Sequence, residues 1–560
     1  LIEPNPAVMQ GLKVLNGRLH GKRLQDLPYP EDTELTYEQM DEVADYCLHS
    51  DLDATENLWH ALAEPIKLRI DLGQQYDMDF RSKSDAQFGE VIIKKRVEAI
   101  TKQKIERIDT KPGSAFQYKL PKWATFESDQ MNRVVDLIRD TVFVVKNDGK
   151  VDFPKEFKNL KIRFGESVYT MGIGGLHSTE ANRAVHSDDE YVYIDSDVGS
   201  QYPRIIATLG LYPKSVGPVF VPVYNGIIDD RLRAKRSGDK VKDKGFKIAL
   251  NGGGFGKLGS RHSVLYAPHL LIAVTLTGQL SLLKLIEKAE GMGIGVVSGN
   301  TDGVIFKCPR TMYAGTTGVR LNDCALKELT DWWEEQTGFE LEFNEYRSIY
   351  NQSVNSYIAI TKDGKPKVKG PLGNPWSNKY GQFDLRAQMS KNPQMTIISD
   401  AVLELILHGT PIEQTIHGCE DVRSFVTVVN AAGGATWGGT PLTKKRTVTD
   451  NATFCDEVEE ITGFEGETYL GKVVRYYWAQ DGLPIYKVKP HPTTGNRPKV
   501  PKTDGCRPIM TMPDDYAVPE DLDYDRYISE AYDVLKEIGY HGQPDLPPWH
   551  KMLMSLIGAT

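Results

Sequence analysis

The chain has 560 residues, enough for several domains of ordinary size, each with its own core. A formal net charge of −9 excludes a generally basic nucleic-acid-binding surface, so any contact with DNA has to be local. Six widely spaced cysteines without a C-x-x-C pair indicate neither a zinc site nor a disulfide framework, and no apolar run or leader pattern predicts a membrane span. These features predict a soluble, cytoplasmic, multi-domain enzyme.

The first informative element is a helix near residue 45, which carries Tyr46 and Asp51. Residues 64–150 then have a helical and strongly charged pattern. The lysines and arginines of this stretch are typical of a solvated helix face, and a contact with a DNA backbone is the less favoured interpretation.

A strand is predicted over residues 191–194, where apolar positions alternate, after a glycine-rich turn at residues 172–175. The carboxylates of Asp195 and Asp197 follow where this strand should end. An Asp at a strand end is most often a solvated turn residue. A strand end is also a rigid place to hold a metal ion.

Two basic helices, broken by a turn at Gly238, are predicted next. Residues four apart share a helix face, and two such pairs occur here: Arg231 with Lys235 and Lys247 with Asn251. Two antiparallel helices could direct these four side chains at one anion, such as a nucleoside triphosphate. The alternative is a solvated helical hairpin, which we prefer for Arg233 and Arg236.

The second basic helix runs into three glycines before Phe255. Each glycine costs a helix about 1 kcal/mol against Ala, so we expect the helix to end or kink there. The long apolar segment at residues 265–286 predicts a core helix.

Residues 294–307 are typical of a hairpin, with two short β-branched runs around a polar turn that carries Asp302. If this hairpin and the strand before Asp197 lie in one sheet, Asp197 and Asp302 can meet. Two carboxylates from distant parts of a chain suit Mg²⁺, which takes its remaining ligands from water and substrate phosphates.

Residues 357–370 predict a strand, a turn and a second, basic strand. Lys367 and Lys369 alternate with Val368 and therefore project from one face, where they could follow phosphates. Residues 397–406 predict an amphipathic helix.

Three of these stretches resemble, in the same order, the motifs of family B DNA polymerases. Residues 197–203, D-V-G-S-Q-Y-P, are similar to D-x-x-S-L-Y-P, and residues 298–303, S-G-N-T-D-G, are similar to Y-G-D-T-D-S. Between them, residues 247–256 are similar to K-x-x-x-N-S-x-Y-G. The resemblance is firm over residues 172–370, and the flanks more loosely resemble a phage-type polymerase.

The resemblance implies an α+β multi-domain, right-hand polymerase with a palm of antiparallel sheet plus helices, short two-helix fingers and a thumb. Its predicted parts are an exonuclease-like remnant (1–65), a helical, charged connection (66–165), the palm (166–215 and 257–385), the fingers (216–256), and the thumb with a C-terminal extension (386–560).

The resemblance also assigns roles to residues. Asp197 and Asp302 are the catalytic carboxylates, which hold two Mg²⁺ ions with the Val198 carbonyl, Mn²⁺ being a substitute. The residues implied in dNTP binding are Ser200, Gln201, Tyr202, Arg231, Lys235, Lys247 and Asn251. Those implied in DNA binding are Gly174, Gly175, Thr301, Lys367, Lys369 and Gly370.

The sequence departs from the family pattern at several positions. Asn300 replaces the first Asp of the hairpin motif, Gly303 replaces its Ser, and Phe255 comes one residue late. Asn355 and Ser356 stand where lysines often precede the basic strand. Because Asp302 matches the essential metal ligand, we expect activity to survive.

Tyr46 and Asp51 resemble the last motif of a 3′→5′ exonuclease, but their spacing is one residue longer than Y-x-x-x-D. No earlier D-x-E on a strand completes that site's carboxylate set. We therefore predict a structural remnant without exonuclease activity in this chain.

The predicted function is template-directed DNA polymerisation on primer–template DNA with dNTPs, in phage or plasmid replication in a bacterial host. Replication accessory proteins, or a separate chain with the rest of the exonuclease, are further expected partners, and no membrane is. One alternative is another palm-type nucleotidyltransferase, such as a reverse transcriptase or a template-independent transferase. The other is a DNA-binding protein derived from a polymerase, with catalysis lost.

Overall fold

The computed structural model describes residues 10–29, 33–391, 395–450, 454–493 and 495–541, without the side chains of residues 444–450 and 454–463. It is a mixed α/β assembly in which helices pack on several antiparallel sheets. The outermost residues of the two predicted terminal domains, 1–9 and 542–560, lie outside the described residues.

The first part of the chain is mostly helical. Its helices are α1 Leu12–Arg18, α2 Tyr37–Tyr46, α3 Asp53–Ala61, α4 Ala63–Tyr76, α5 Asp85–Thr101, α6 Asp129–Asp140 and α7 Lys155–Lys158. A π-helix, Cys47–Leu52, joins α2 to α3. Capping boxes at Thr36 and Ser84 fix where α2 and α5 begin. The helical pattern predicted up to residue 150 also hides an antiparallel pair, β1 Ala115–Gln117 and β2 Val142–Val144.

A ten-stranded antiparallel sheet forms the centre of the molecule. Its strands are β3 Ile162–Phe164, β4 Ser167–Met171, β5 Leu176–Ser178, β6 Arg183–His186, β7 Tyr191–Val198, β8 Gly295–Asn300, β9 Gly303–Pro309, β12 Leu341–Ser353, β13 Ser356–Thr361 and β14 Pro366–Lys369. The small pair β10 Thr316–Thr317 and β11 Arg320–Leu321 lies outside it. The strand order is β14-β13-β12-β7-β9-β8-β5-β4-β3, and β6 pairs with β12. This order places β7 beside the β8–β9 hairpin.

The central strand β7 is longer and more buried than the alternating pattern predicts. It continues through Asp195 and Asp197 to Val198, and most of its side chains are buried on both faces. The reason is that β9 and β12 pair with its two edges, while Ile194 and Val198 belong to the main hydrophobic core. The two Asp residues therefore lie within the sheet and not in a loop after it.

Helices fill the interval between β7 and β8. They are α8 Gln201–Thr208, α9 Phe220–Ser237, α10 Lys240–Ile248, a second π-helix Ala249–Phe255, α11 Gly256–Leu258 and α12 Pro268–Gly291, and α13 Ala325–Thr337 follows β11. The predicted break between the two basic helices is present: Gly238 has a φ of +72° and Asp239 caps α10. The α-helix ends at Ile248, before the glycines, and the chain continues through them as a π-helix to Phe255, while a kink there stays a prediction.

Helix α12 is the predicted core helix. By length and composition it could also cross a membrane, a property that the sequence pattern did not lead us to expect. Within the protein, 83% of its most apolar 18-residue window is buried, as in the core helix of a globular protein. Its Trp333 neighbour on α13 donates a hydrogen bond to its Ser281 carbonyl over 2.7 Å.

The last part of the chain has its own core. Its elements are α14 Leu385–Ser390, α15 Ile397–His408, α16 Ile412–His417, β15 Thr427–Trp437, β16 Thr440–Asp450, β17 Phe454–Glu465, β18 Thr468–Leu483, β19 Ile485–Lys487, β20 Cys506–Pro508 and α17 Tyr524–Glu537. Four strands form a sheet in the order β19-β15-β18-β20, and β16 and β17 form a separate hairpin. Helix α1 packs against β15, with Gly17 facing Val428. The predicted domain boundaries stay a prediction.

Candidate active site

The two candidate catalytic carboxylates meet at one end of β7. Asp197 pairs across the sheet with Gly303, the first residue of β9. The Val198 N–H donates to the Asp302 carbonyl over 2.7 Å, which ties the hairpin turn to the end of β7. Both Asp residues line a cleft of about 330 Å³. The hairpin and the strand thus lie in one sheet, as the sequence hypothesis requires.

The electrostatics of these carboxylates are unfavourable without a cation. Burial raises the pKa of Asp197 to about 6, and the charges of Asp195 and Asp302 act in the same direction against Lys367. Burial of the carboxyl by the surrounding protein also raises the pKa of Asp302, although the residue is partly open to the cleft. The charge of Lys369 opposes this shift. Carboxylates held together in this state gain from any cation that binds between them.

Asp195 is the inner carboxylate, and it is already satisfied. Only 6% of the residue is exposed. Its Oδ2 accepts hydrogen bonds from the Tyr346 hydroxyl at 2.5 Å and from the Lys367 ammonium at 2.8 Å. Burial, followed by the charge of Asp195, raises the pKa of Tyr346 strongly, so the phenol stays a donor. Asp195 therefore anchors β7 to its neighbours.

Lys367 lies beside the carboxylates, a position that sequence reasoning did not foresee. Its ammonium is 3.6 Å from Asp197 Oδ2 as well as bonded to Asp195. Although burial opposes it, the charge of Asp195 and its neighbours raises the pKa of Lys367. Lys369, two residues on, lies over the Tyr357 ring at 5.9 Å, and Gly370 has a φ of +82°. Contacts of these three residues with DNA stay a prediction.

The two basic helices α9 and α10 border the same cleft. The four predicted anion-binding side chains all line it: Arg231 and Lys235 on α9, Lys247 on α10 and Asn251 on the second π-helix. The Arg231 guanidinium is held by the Asp243 carboxylate at 3.0 Å and donates to the Ser200 hydroxyl at 2.7 Å. Arg233 is 70% exposed and pairs with Asp230 outside the cleft, as its solvated interpretation requires.

The second π-helix explains the glycine run after Asn251. A Cβ at Gly253 would lie 2.2 Å from the carbonyl carbon of Gly89 on α5, and a Cβ at Gly254 would lie 2.5 Å from the Tyr224 ring. Only glycine permits these approaches. The wider π turn also absorbs the extra residue and places the Phe255 ring 4.2 Å from the Tyr202 ring.

Tyr202 connects the cleft to the glycine-rich turn. Its hydroxyl donates to the Gly174 carbonyl, and burial raises the pKa of this phenol to about 12. Gly175, with a φ of +149°, lies against the hairpin turn, since a Cβ there would be 3.0 Å from Thr301. The turn, the aromatic pair and the hairpin therefore form one continuous wall.

Two residues before Tyr202 shape the entry to α8. Ser200 adopts a left-handed conformation with a φ of +56°, which turns the chain sharply from β7 into the helix. Gln201 is only 3% exposed, and its amide faces Gly278 on α12 without a hydrogen-bond partner in the described part of the chain. Where the family pattern has Leu, Gln201 thus packs as a core residue.

Two further carboxylates of the cleft, those of Glu340 and Glu342, escaped sequence reasoning. Glu342 pairs with Asp197 across β12 and β7 and lines the cleft beside Glu340. The available signal was the alternation of apolar and polar residues over 341–344, which predicts a strand with one polar face. Nothing in the sequence indicated that this strand would be the neighbour of β7.

Tyr46 and Asp51 come together in a separate pocket of about 920 Å³. The π-helix Cys47–Leu52 begins directly after Tyr46 and places the Tyr46 hydroxyl 3.2 Å from Asp51 Oδ1 despite the additional residue. Asp26 in the same pocket is bonded to the Lys13 ammonium at 2.6 Å. Burial would raise the pKa of Asp26, but the hydrogen bond and charge of Lys13 outweigh it and lower that pKa.

Comparison with known proteins gives distant and partial matches. No protein-family model matches the chain. Over 192 residues, 33% of this chain and 21% of the relative, the sequence is 26% identical to DNA polymerase 2 of Aeropyrum pernix. Over 154 residues, 25% of this chain and 15% of the relative, it is 27% identical to DNA polymerase 1 of the same organism. The matched stretches thus span about a fifth or less of these relatives.

A solved structure, the family B DNA polymerase from the hyperthermophilic archaeon Pyrobaculum calidifontis, aligns with 91% of this chain and 58% of that chain. The TM-score of this alignment is 0.39 and its sequence identity is 13%. The sequence matches make the chain a distant, partial homologue of archaeal DNA polymerases.

Proposed function

We propose that the protein is a template-directed DNA polymerase of the family B type, which adds dNTPs to a primer 3′-OH. One observation carries the proposal. Asp197, Asp302 and the four polar side chains of α9, α10 and the second π-helix come from distant parts of the chain and line one cleft. A nucleoside triphosphate needs this combination, because cationic donors must face its phosphates while carboxylates hold divalent metal at the reacting phosphorus.

The donor set of the cleft fits Mg²⁺. In the part of the chain that the structure describes, no group of three or more His, Cys, Asp or Glu residues is arranged to hold a metal. Asp197, Asp302 and the Val198 carbonyl would offer oxygen ligands, which Mg²⁺ prefers, and water and phosphate oxygens would complete its coordination. When bound, Mg²⁺ supplies Lewis acidity and lowers the pKa of the primer 3′-OH.

The chain's own residues position and neutralise the substrate. Lys235 and Lys247 would bind the triphosphate, and Arg231 would bind it while braced by Asp243. The Tyr202 ring, supported by Phe255, would lie against the sugar and exclude a 2′-OH. Asn251 and the N–H groups at the start of α8 would complete the nucleotide site.

DNA contacts would come from the wall beside the cleft and the edge strand β14. Gly174, Gly175 and Thr301 would contact the template strand or the base pair being formed, while Lys369 and Gly370 would hold the primer strand. Because such contacts go to phosphates, affinity for the duplex should fall steeply with salt. Replication of phage or plasmid DNA in a bacterial cytoplasm, with accessory proteins, is the corresponding biological proposal.

The test is extension of a labelled primer on a DNA template with dNTPs and Mg²⁺. We expect templated extension by the protein and by Asp363→Ala, a control in the exposed turn between β13 and β14, and none by Asp302→Ala. No extension with any divalent ion would remove the proposal and favour a DNA-binding protein without catalysis. Undiminished extension by Asp302→Ala would move the catalytic centre elsewhere.

A further inference from the structure

Two departures from the family pattern touch each other beside the candidate catalytic hairpin. Asn300 ends β8, and Asn355 lies in the turn between β12 and β13. The Asn300 amide nitrogen donates to Asn355 Oδ1 at 3.0 Å and to the Val354 carbonyl at 3.1 Å. Its Oδ1 accepts from the Thr301 hydroxyl at 3.0 Å. Both ends of this amide are therefore used.

These bonds require an amide at position 300. A carboxylate is an acceptor only, so an Asp there would face the Val354 carbonyl oxygen without a proton to share. Asn355 could turn its own amide to donate, but the backbone carbonyl cannot. The Asn300 side chain is thus a donor-dependent bridge between two turns of the central sheet.

The bridge lies in the turn that carries the candidate metal ligand, Asp302. Thr301 has a left-handed φ of +59°, and its N–H donates to the Leu176 carbonyl at 2.7 Å. The Asp302 carbonyl accepts from the Val198 N–H. Together with the Asn300 amide, these contacts fix the hairpin turn from three sides and set where the Asp302 carboxylate lies.

Charge points the same way as hydrogen bonding. A carboxylate at position 300 would add a negative charge two residues from Asp302, in the same turn. Where the resembling family has an Asp at the first position and often a lysine near the second, this chain has two neutral amides in contact.

We propose that Asn300 is a positioning residue whose neutral amide, paired with Asn355, fixes the β8–β9 turn and so places Asp302 for metal binding. This inference rests on the proposed polymerase function. It treats Asn300 as a requirement of this site, and not as the trace of a lost catalytic carboxylate.

The test compares Asn300→Asp, Asn355→Lys and the double variant Asn300→Asp/Asn355→Lys with the parent protein. In Asn300→Asp the kcat of single-nucleotide incorporation should fall about tenfold, while the KM for dNTP should change little. The reason is that misplacement of a metal ligand affects the chemical step. The double variant should recover only in part, because a Lys at position 355 can donate to the new Asp while the Val354 carbonyl still lacks its donor.

A matched control is Asn322→Asp. Asn322 makes nearly the same bonds away from the cleft, donating to the Ala314 carbonyl at 3.0 Å and accepting from the Thr317 hydroxyl at 2.8 Å. Its replacement removes an equivalent amide–carbonyl bond, and we expect incorporation to stay within about twofold of the parent.

A second readout needs no catalysis. Hydrogen exchange of the peptide spanning residues 295–309, measured without metal, should be faster in Asn300→Asp and only partly restored in the double variant. Unchanged exchange, or a faster Asn300→Asp enzyme, would overturn the inference. Parent protein that does not extend primers, yet shows this exchange pattern, would refute the polymerase and leave the positioning of the hairpin established.

Discussion

Two regions of the molecule each have one residue more than the family pattern. They are the cleft at β7 and the pocket around Tyr46, and in both the extra residue lies in a π-helix. In the cleft, the π-helix brings Phe255 to 4.2 Å from Tyr202, and in the pocket it brings Tyr46 to 3.2 Å from Asp51. One extra residue in an α-helix would rotate every later side chain by about 100° around the helix axis. A π turn restores the facing of the side chains, which is why π segments survive at functional positions.

The two regions differ in how their carboxylates are neutralised. In the pocket, Asp26 is paired with Lys13 and Asp51 with a tyrosine hydroxyl, and the pKa of Asp26 is lowered. In the cleft, Asp197 and Asp302 keep raised pKa values although Lys367 is near. Neighbouring carboxylates whose negative charges repel each other indicate a site that binds a cation. Carboxylates that are paired with a cation or a hydrogen-bond donor indicate a structural role.

The largest expected effect separates the two regions directly. Asp197→Ala should lower the rate of single-nucleotide incorporation at least about a hundredfold, because it removes a metal-binding carboxylate. Asp51→Ala should stay within about twofold of the parent. Quenched-flow incorporation on a primer–template measures both, and equal losses would mean that the pocket belongs to the catalytic machinery.

The next effect tests the helices that border the cleft. Lys247→Ala should raise the KM for dNTP about ten- to hundredfold, which is the loss of one charge-assisted contact to phosphate. Arg233→Ala on α9 is the matched control, because its side chain points away from the cleft, and it should change KM less than about twofold. Steady-state kinetics over a dNTP series decides. A similar KM for both variants would reject the triphosphate site.

Packing of the second π-helix gives a stability prediction. Gly253→Ala should lower the free energy of unfolding by about 1–3 kcal/mol, because its Cβ would overlap the backbone of Gly89. Gly252→Ala is the control, since a Cβ there would lie 3.5 Å from Ala86, an ordinary contact. Denaturant unfolding monitored by circular dichroism compares the two, and equal stability would show that α5 and the π-helix are not in close contact.

The smallest expected effect is on stability as a function of pH. Replacing an Asp by Asn should change stability in opposite directions in the two regions. The folded pKa of Asp197, about 6, lies above the ordinary value of 3.8, so this group's stabilising effect is present at low pH and lost as pH rises through about 6. Metal-free Asp197→Asn should therefore be more stable than the parent at pH 7.5, by about 1 kcal/mol or less after solvent screening, and this difference should shrink as pH falls to 5 and vanish near pH 4.

Asp26 should behave in the opposite way. Its folded pKa is lowered below 3.8, so its contribution is present above that pH and is lost only as pH falls through the folded pKa. Asp26→Asn should be less stable than the parent throughout pH 5–7.5, with no trend. Thermal unfolding across this range, without divalent ions, checks both variants, and parallel pH trends would contradict the contrast between the regions.

Much of the cleft could be predicted from sequence because its motifs are local. The helix pair, the Gly238 break and the hairpin that carries Asp302 each follow from a short pattern of residues. Sheet order is not local, so the neighbours that β12 and β14 bring to β7, namely Tyr346, Glu342 and the Lys367 ammonium, could not be predicted. The length of β7 could not be predicted for the same reason, because the residues that bury its two faces come from distant parts of the chain.

The π-helices were missed because an added residue in a helical pattern has no distinctive composition. At residues 252–254 the glycine run predicts an end or a kink, whereas the chain passes through them as a π-helix in which Gly253 and Gly254 leave no room for a Cβ. At Tyr46 the spacing to Asp51 is one residue longer than the family pattern, and the π turn still brings the two side chains together.

The most direct test of the account is the location of bound metal. Crystals of the protein with primer–template and a non-hydrolysable dNTP would be soaked with Mn²⁺, and anomalous diffraction would locate the ions. The account predicts two Mn²⁺ peaks between the Asp197 and Asp302 side chains and none in the pocket of Asp26 and Asp51. An empty cleft, or Mn²⁺ bound only beside Asp26 and Asp51, would contradict it.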